Sequence, residues 1–138
     1  MSKKILIIDD EKNILLTLNL ILRNEGYDVF IASDSLEGVI KAGEIKPNLI
    51  LLDICLPKAD GYSVCRSLRC DTDIEEIPII FMSSKNHEDD IEEAFDSGGN
   101  DYLLKPFTKK ELLDVIERNI NRGKKWKKGY WLQMMKKI

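Results

Sequence analysis

Four short apolar runs punctuate this chain, and each stops at a polar residue. Ile5-Leu6-Ile7-Ile8 ends at Asp9-Asp10 and Leu49-Ile50-Leu51-Leu52 at Asp53. Ile79-Ile80-Phe81-Met82 ends at Ser83, and Tyr102-Leu103-Leu104 at Lys105. Unbroken apolar runs of this length fit strands buried on both faces of a parallel sheet. Between them the period becomes helical. Ile14, Leu15, Leu18, Ile21 and Leu22 predict a helix over Lys12–Asn24, ended by Gly26. Tyr27–Ala32 reads as a further strand. Ser35 is expected to cap a helix through Ile45, with Leu36, Val39 and Ile40 facing inward. Gly61 opens a third helix carrying Tyr62, Val64, Cys65 and Leu68. His87–Ser97 reads as an acidic helix with Ile91, Ala94 and Phe95 as its apolar stripe, broken by Gly98-Gly99. Thr108 caps a last helix, Lys109 to about Asn121, and Glu111 completes a capping box.

Five strands alternating with five helices predict an α/β fold: a doubly wound, five-stranded parallel sheet with helices on both faces. The flavodoxin-like strand order 2-1-3-4-5 is expected. One domain accounts for residues 1–121. Residues 122–138 form a different kind of segment. Net charge is −3, but residues 1–120 hold 14 Lys+Arg and all 24 Asp+Glu, whereas 121–138 hold 7 bases and no acid. Trp126, Tyr130, Met134 and Ile138 recur there at four-residue steps. This basic tail reads as a linker or amphipathic helix, with anionic membrane, nucleic acid or a partner as speculative contacts. Cys55, Cys65 and Cys70 lack metal-ligand spacing and read as reduced thiols packed as small apolar residues. No run spans a membrane, and the apolar run at the N-terminus is too short for a signal peptide. The cytoplasm is expected.

In a parallel sheet the four run ends open on one edge, where such folds bind ligands. Asp10 and Asp53 would face each other across strands one and three. Crowded carboxylates repel, and a divalent cation relieves the repulsion. Magnesium suits such oxygens. Asp10 and Asp53 are expected as direct ligands, with Asp9 acting directly or through water. Lys105 adds positive charge without occupying a coordination position. A carboxylate in this setting can attack a phosphoryl donor to give an aspartyl phosphate. Asp53 is the expected nucleophile, because it stands alone on the central strand. Ser83 offers a hydroxyl to the transferred group.

These residues carry a resemblance to the receiver domain of two-component response regulators over about residues 3–120. The matching pieces are Asp9-Asp10, then Asp53-Ile54-Cys55-Leu56-Pro57 with Asp60-Gly61. Ser83 follows, and Asp101-Tyr102-Leu103-Leu104-Lys105-Pro106-Phe107 completes the series. The resemblance implies Asp53 as phosphoacceptor, with Asp9, Asp10 and the Cys55 backbone carbonyl around Mg2+. It implies Lys105 as the phosphate-sensing lysine, Ser83 as the switch hydroxyl, Tyr102 as the switch aromatic and Lys105-Pro106 as a cis peptide. It also implies a signalling surface formed by helix four, strand five and helix five, which could support a dimer. The expected partners are a histidine kinase or phosphotransfer protein and an output domain or effector. His87 is the sole histidine and is read as a solvated residue at a helix start, so the donor histidine belongs elsewhere.

On this reading the protein is a switch, not a metabolic enzyme, and catalyses only its own phosphorylation and dephosphorylation. Lys85, two residues beyond Ser83, is expected to slow loss of the phosphoryl group. Two rivals stand beside this reading. A magnesium-dependent phosphohydrolase would use Asp53 transiently, but Asp53-Ile54-Cys55 lacks a second acid. A phosphorylation-independent interaction module would keep the fold without needing the full acid, serine and lysine set.

Overall fold

Adjacent residues of each strand send side chains to opposite faces of the sheet, and helices cover both faces. The computed structural model describes residues 2–121. In chain order the elements are β1 (Lys4–Ile8), α1 (Lys12–Asn24), β2 (Asp28–Ala32), α2 (Ser35–Ile45) and β3 (Leu49–Asp53). There follow α3 (Gly61–Arg69), β4 (Ile79–Ser83), α4 (Glu88–Asp96), β5 (Asp101–Leu104) and α5 (Lys109–Ile120). The strands are parallel in the order β2-β1-β3-β4-β5, as expected. Register pairs Ile8 with Leu52 and Asp53 with Met82, so the polar run ends share one edge.

One core layer joins Leu6, Ile8, Ile50, Leu52 and Phe81 to α2, α3 and α4. The other joins Ile5, Ile7, Leu49, Leu51, Ile80 and Met82 to α1 and α5. The central strands β1, β3 and β4 are buried on both faces along almost their whole length, which their near-continuous apolar runs satisfy. The α1 stripe falls as expected, with Leu15, Leu18 and Leu22 buried. The Thr108–Glu111 capping box also forms. Among the described residues, no helix is long and apolar enough to cross a membrane. The expected basic tail, residues 122–138, lies outside the described residues.

Helix α2 departs from expectation. Its N-cap is Asp34, whose carboxylate accepts from the Glu37 amide at 2.8 Å. Ser35 is instead buried, donating to the Pro57 carbonyl and accepting from the Ala59 amide, both at 3.0 Å. Leu36 and Ile40 point outward, 56% and 51% exposed. The inward face is built from Ser35, Gly38 and Ala42. A Cβ on Gly38 would sit 2.8 Å from Ile8 Cδ1, so the helix lies too close to the sheet for large side chains. The cysteines also divide: Cys65 is buried as expected, but Cys55 and Cys70 are exposed on loops.

Gly61 holds the start of α3 directly under the end of β3. Its amide donates to the Ile54 carbonyl at 2.7 Å. A Cβ there would collide with the Asp53 carbonyl oxygen and lie 2.8 Å from Ile54 Cα. Asp60 caps the same helix by accepting from the Ser63 amide at 2.9 Å. The backbone carrying Asp53 is therefore pinned from below.

Candidate functional site at the strand ends

Asp9, Asp53 and Ser83 are carried to the sheet edge by β1, β3 and β4 and are buried there. Asp10 remains exposed. Carboxylate oxygens of Asp9, Asp10 and Asp53 lie within 4.8 Å of one another. Lys105 enters from the end of β5. Its ammonium donates to Asp9 Oδ2 at 2.9 Å and stands 3.6 Å from Asp53 Oδ1. It also stands 3.7 Å from Glu11 Oε1, a neighbour not foreseen from sequence. The only hint was that Glu11 directly follows the acidic pair. Asp9 also shapes its own loop, accepting from the Glu11 amide at 2.9 Å. The Lys105-Pro106 peptide is cis, as the resemblance implied.

The electrostatics are unbalanced. Burial, with the charges of Asp9 and Asp10, pushes the Asp53 carboxyl up to about 6 against the pull of Lys105. Burial draws Lys105 down, but its hydrogen bond to Asp9 and the charges of Asp53, Asp9 and Glu11 outweigh that and raise it. One ammonium thus pairs with Asp9, Asp53 and Glu11, while Asp10 crowds the same space. These hard oxygen donors fit a small divalent cation such as magnesium.

Ser83 and Tyr102 are joined through the main chain of Lys85. The Lys85 amide donates to Ser83 Oγ at 3.0 Å. The Tyr102 hydroxyl donates to the Lys85 carbonyl at 2.8 Å. The Tyr102 ring is 2% exposed, and burial pushes its phenol up to about 12. Nothing in the sequence pointed to this backbone bridge, because side-chain identity at 85 does not encode it. The Lys85 side chain itself is on an exposed residue, as is Cys55.

A further buried carboxylate sits at the opposite end of the sheet. Asp101, at the start of β5, accepts from Arg118 Nε at 2.8 Å and Nη2 at 3.0 Å. Asn119 Nδ2 adds a bond at 2.9 Å, as does the Tyr102 amide. Nearby, the Arg69 guanidinium donates to the carbonyls of Gly98, Glu75 and Ile77 at 2.9, 2.8 and 2.7 Å. Asp101 and Arg69 are thus fully engaged, whereas Asn119 Oδ1 is buried without a hydrogen-bond partner among the described residues.

The family model described as the response regulator receiver domain matches residues 5–117. The DNA-binding dual master transcriptional regulator RpaA of Synechocystis is 40% identical over 119 residues, covering 86% of this chain and 49% of that protein. The DNA-binding response regulator MtrA of Mycobacterium tuberculosis is 34% identical over 123 residues, covering 89% of this chain and 53% of that protein. The chain thus spans about half the length of these relatives. Among solved structures, the receiver domain of the Pseudomonas aeruginosa sensor histidine kinase PA1611 superposes with a TM-score of 0.81 at 32% identity. The match covers 87% of this chain and 98% of that one, whose active-site cleft coordinates a magnesium ion.

Proposed function

The chain belongs to the response-regulator receiver family, and we propose that it is a phosphoryl-accepting switch whose acceptor is Asp53. The supporting observation is the clustering of Asp9, Asp10 and Asp53 at the strand ends, with the Lys105 ammonium beside Asp9 and Asp53. We assign residues 1–121 to the receiver domain and leave 122–138 as a separate segment. The donor is a phosphohistidine on a kinase or phosphotransfer protein, and the recipient of the signal is an output domain or effector.

Asp9, Asp10, Asp53 and the Cys55 carbonyl would hold magnesium, which neutralises charge on the transferred oxygens when bound. An Asp53 oxygen attacks the phosphorus in line, and the bond from phosphorus to the donor nitrogen breaks. Lys105 neutralises another oxygen without moving far, since its ammonium already stands 3.6 Å from Asp53. Ser83 donates its hydroxyl to the arriving phosphoryl group. Because the Lys85 amide donates to that hydroxyl oxygen, rotation of the Ser83 side chain towards the phosphoryl group would pull on the β4–α4 loop that also holds Tyr102. A full switch needs about 5.5 kcal/mol, more than the roughly 1.5–3 kcal/mol of one charge-assisted hydrogen bond. Ser83 and Lys105 must therefore act together, and the α4–β5–α5 surface reads out the change. A symmetric dimer through that surface is one way of doing so.

Asp53→Asn is expected to abolish labelling by a small acyl phosphate in the presence of magnesium. Undiminished, acid-stable labelling of that variant would show that another residue is the acceptor. The exposed Lys85 ammonium is assigned to guarding the phosphoryl group from water. Lys85→Ala should shorten the phosphoryl lifetime several-fold in a single-turnover assay.

A further inference from the structure

The loop between β3 and α3 is closed at its neck and held at its tip by different parts of the molecule. At the neck, the Gly61 amide donates to the Ile54 carbonyl at 2.7 Å. At the tip stand Pro57, Lys58 and Ala59, all exposed. Between neck and tip, half-buried Leu56 packs against the core. The tip is strained: Lys58 has φ +78°, a left-handed conformation that residues other than glycine rarely adopt. Such a conformation persists only where its surroundings over-determine it.

Helix α2 supplies that constraint. The Ser35 hydroxyl donates to the Pro57 carbonyl and accepts from the Ala59 amide, each at 3.0 Å. One side chain thus clasps the backbone on both sides of Lys58. The pair of bonds requires a group that donates and accepts at once, which a hydroxyl does and an alanine does not. Ser35 is 4% exposed, so the clasp is shielded from competing water. The Asp34 carboxylate adds an ion pair to the Lys58 ammonium at 3.3 Å, but on an exposed lysine such a pair contributes little. The helix behind the hydroxyl is a firm support. It lies so close to β1 that a Cβ on Gly38 would stand 2.8 Å from Ile8 Cδ1. Ile8 immediately precedes Asp9 and Asp10. The loop that carries Cys55 is therefore fastened, through α2, to the strand that carries the acidic pair.

We propose that Ser35 is a positioning residue for the acceptor site: it holds the β3–α3 loop, and with it the Cys55 carbonyl, in the arrangement that receives magnesium before the metal arrives. Ser35 acts through the loop and not on the metal, by removing the cost of ordering the loop on binding. The tether stands on the geometry of Ser35 alone, whereas its consequence for magnesium rests on the reading of the Cys55 carbonyl as a ligand.

The test compares Ser35→Ala with Ser35→Thr in the full chain, the second keeping the hydroxyl. In metal-free protein, hydrogen exchange followed by NMR should show the Ala59 amide exchanging about tenfold faster in Ser35→Ala and near the unaltered rate in Ser35→Thr. Magnesium titration followed by amide shifts should need roughly five- to tenfold more metal for half-saturation in Ser35→Ala, the equivalent of about one hydrogen bond. Ser35→Thr should restore most of that affinity. Acyl-phosphate labelling of Asp53 should show the same shift in its magnesium dependence. A serine with a merely structural role would lower the urea midpoint and leave the magnesium midpoint in place. A magnesium midpoint within about twofold of the unaltered chain therefore overturns the proposal. So does an Ala59 amide that stays protected in Ser35→Ala, or a magnesium midpoint that Ser35→Thr shifts as far as Ser35→Ala. Failure of the unaltered chain to bind magnesium or accept label overturns the acceptor reading, and the role of Ser35 with it.

Discussion

Two buried aspartates sit at opposite ends of the sheet and meet opposite surroundings. Asp101 is gripped by the Arg118 fork, by Asn119 and by a backbone amide. Asp53 has one ammonium at 3.6 Å and two carboxylates in the same space. Both are nearly inaccessible, at 1% and 5%. Burial therefore does not separate them; compensation does. A carboxylate whose lone pairs are all engaged fixes structure. One left short of partners remains ready for a cation and an electrophile.

The contrast can be broken most forcefully at Asp101. Asp101→Ala strands Arg118 and Asn119 and should destabilise the domain by about 3 kcal/mol. Urea denaturation at pH 7.5 checks this, and a loss below about 1 kcal/mol would make the cluster ornamental.

Asp53→Asn should act in the other direction, raising metal-free stability by about 2 kcal/mol at the same pH, because it removes an uncompensated buried charge. The sign follows from the raised carboxyl, which titrates near 6 when folded and near 3.8 when free. Between those values the folded state binds more protons, so stability rises as pH falls from about 6 towards 3.8. The penalty is fully present above that window. The gap between Asp53→Asn and the unaltered protein should therefore shrink between pH 7 and pH 4, and a constant gap would remove the electrostatic explanation. Magnesium sharpens the comparison more gently. At tenfold over its dissociation constant it should stabilise the unaltered protein by about 1.4 kcal/mol. It should stabilise Asp53→Asn less and leave the effect of Asp101→Ala unchanged.

Asp53 was legible from sequence because the sheet is parallel and buried on both sides. That makes strand ends visible as breaks in apolar runs, and chain order then brings them to one edge. Asp101 was read only as the first residue of the motif that leads to Lys105. Its partners Arg118 and Asn119 lie 17 and 18 residues away on α5, and no local pattern marks them. Arg69 was hidden for a different reason, since its partners are carbonyls that every residue possesses. Helix α2 misled because hydrophobic size normally marks the inner face. Here proximity to Ile8 selects small residues inside and leaves Leu36 and Ile40 outside. The exposed Cys55 and Cys70 show the same limit: loop position, not residue type, set their environment.

The bridge at residue 85 divides one position into two independent parts. Its amide hydrogen and carbonyl oxygen connect a hydroxyl on one strand to a phenol on the next, whatever side chain projects into water. Exchange of the side chain there leaves the link between Ser83 and Tyr102 intact. Proline is the exception: lacking an amide hydrogen, it would cut the link from Ser83 while leaving every other group of the site in place.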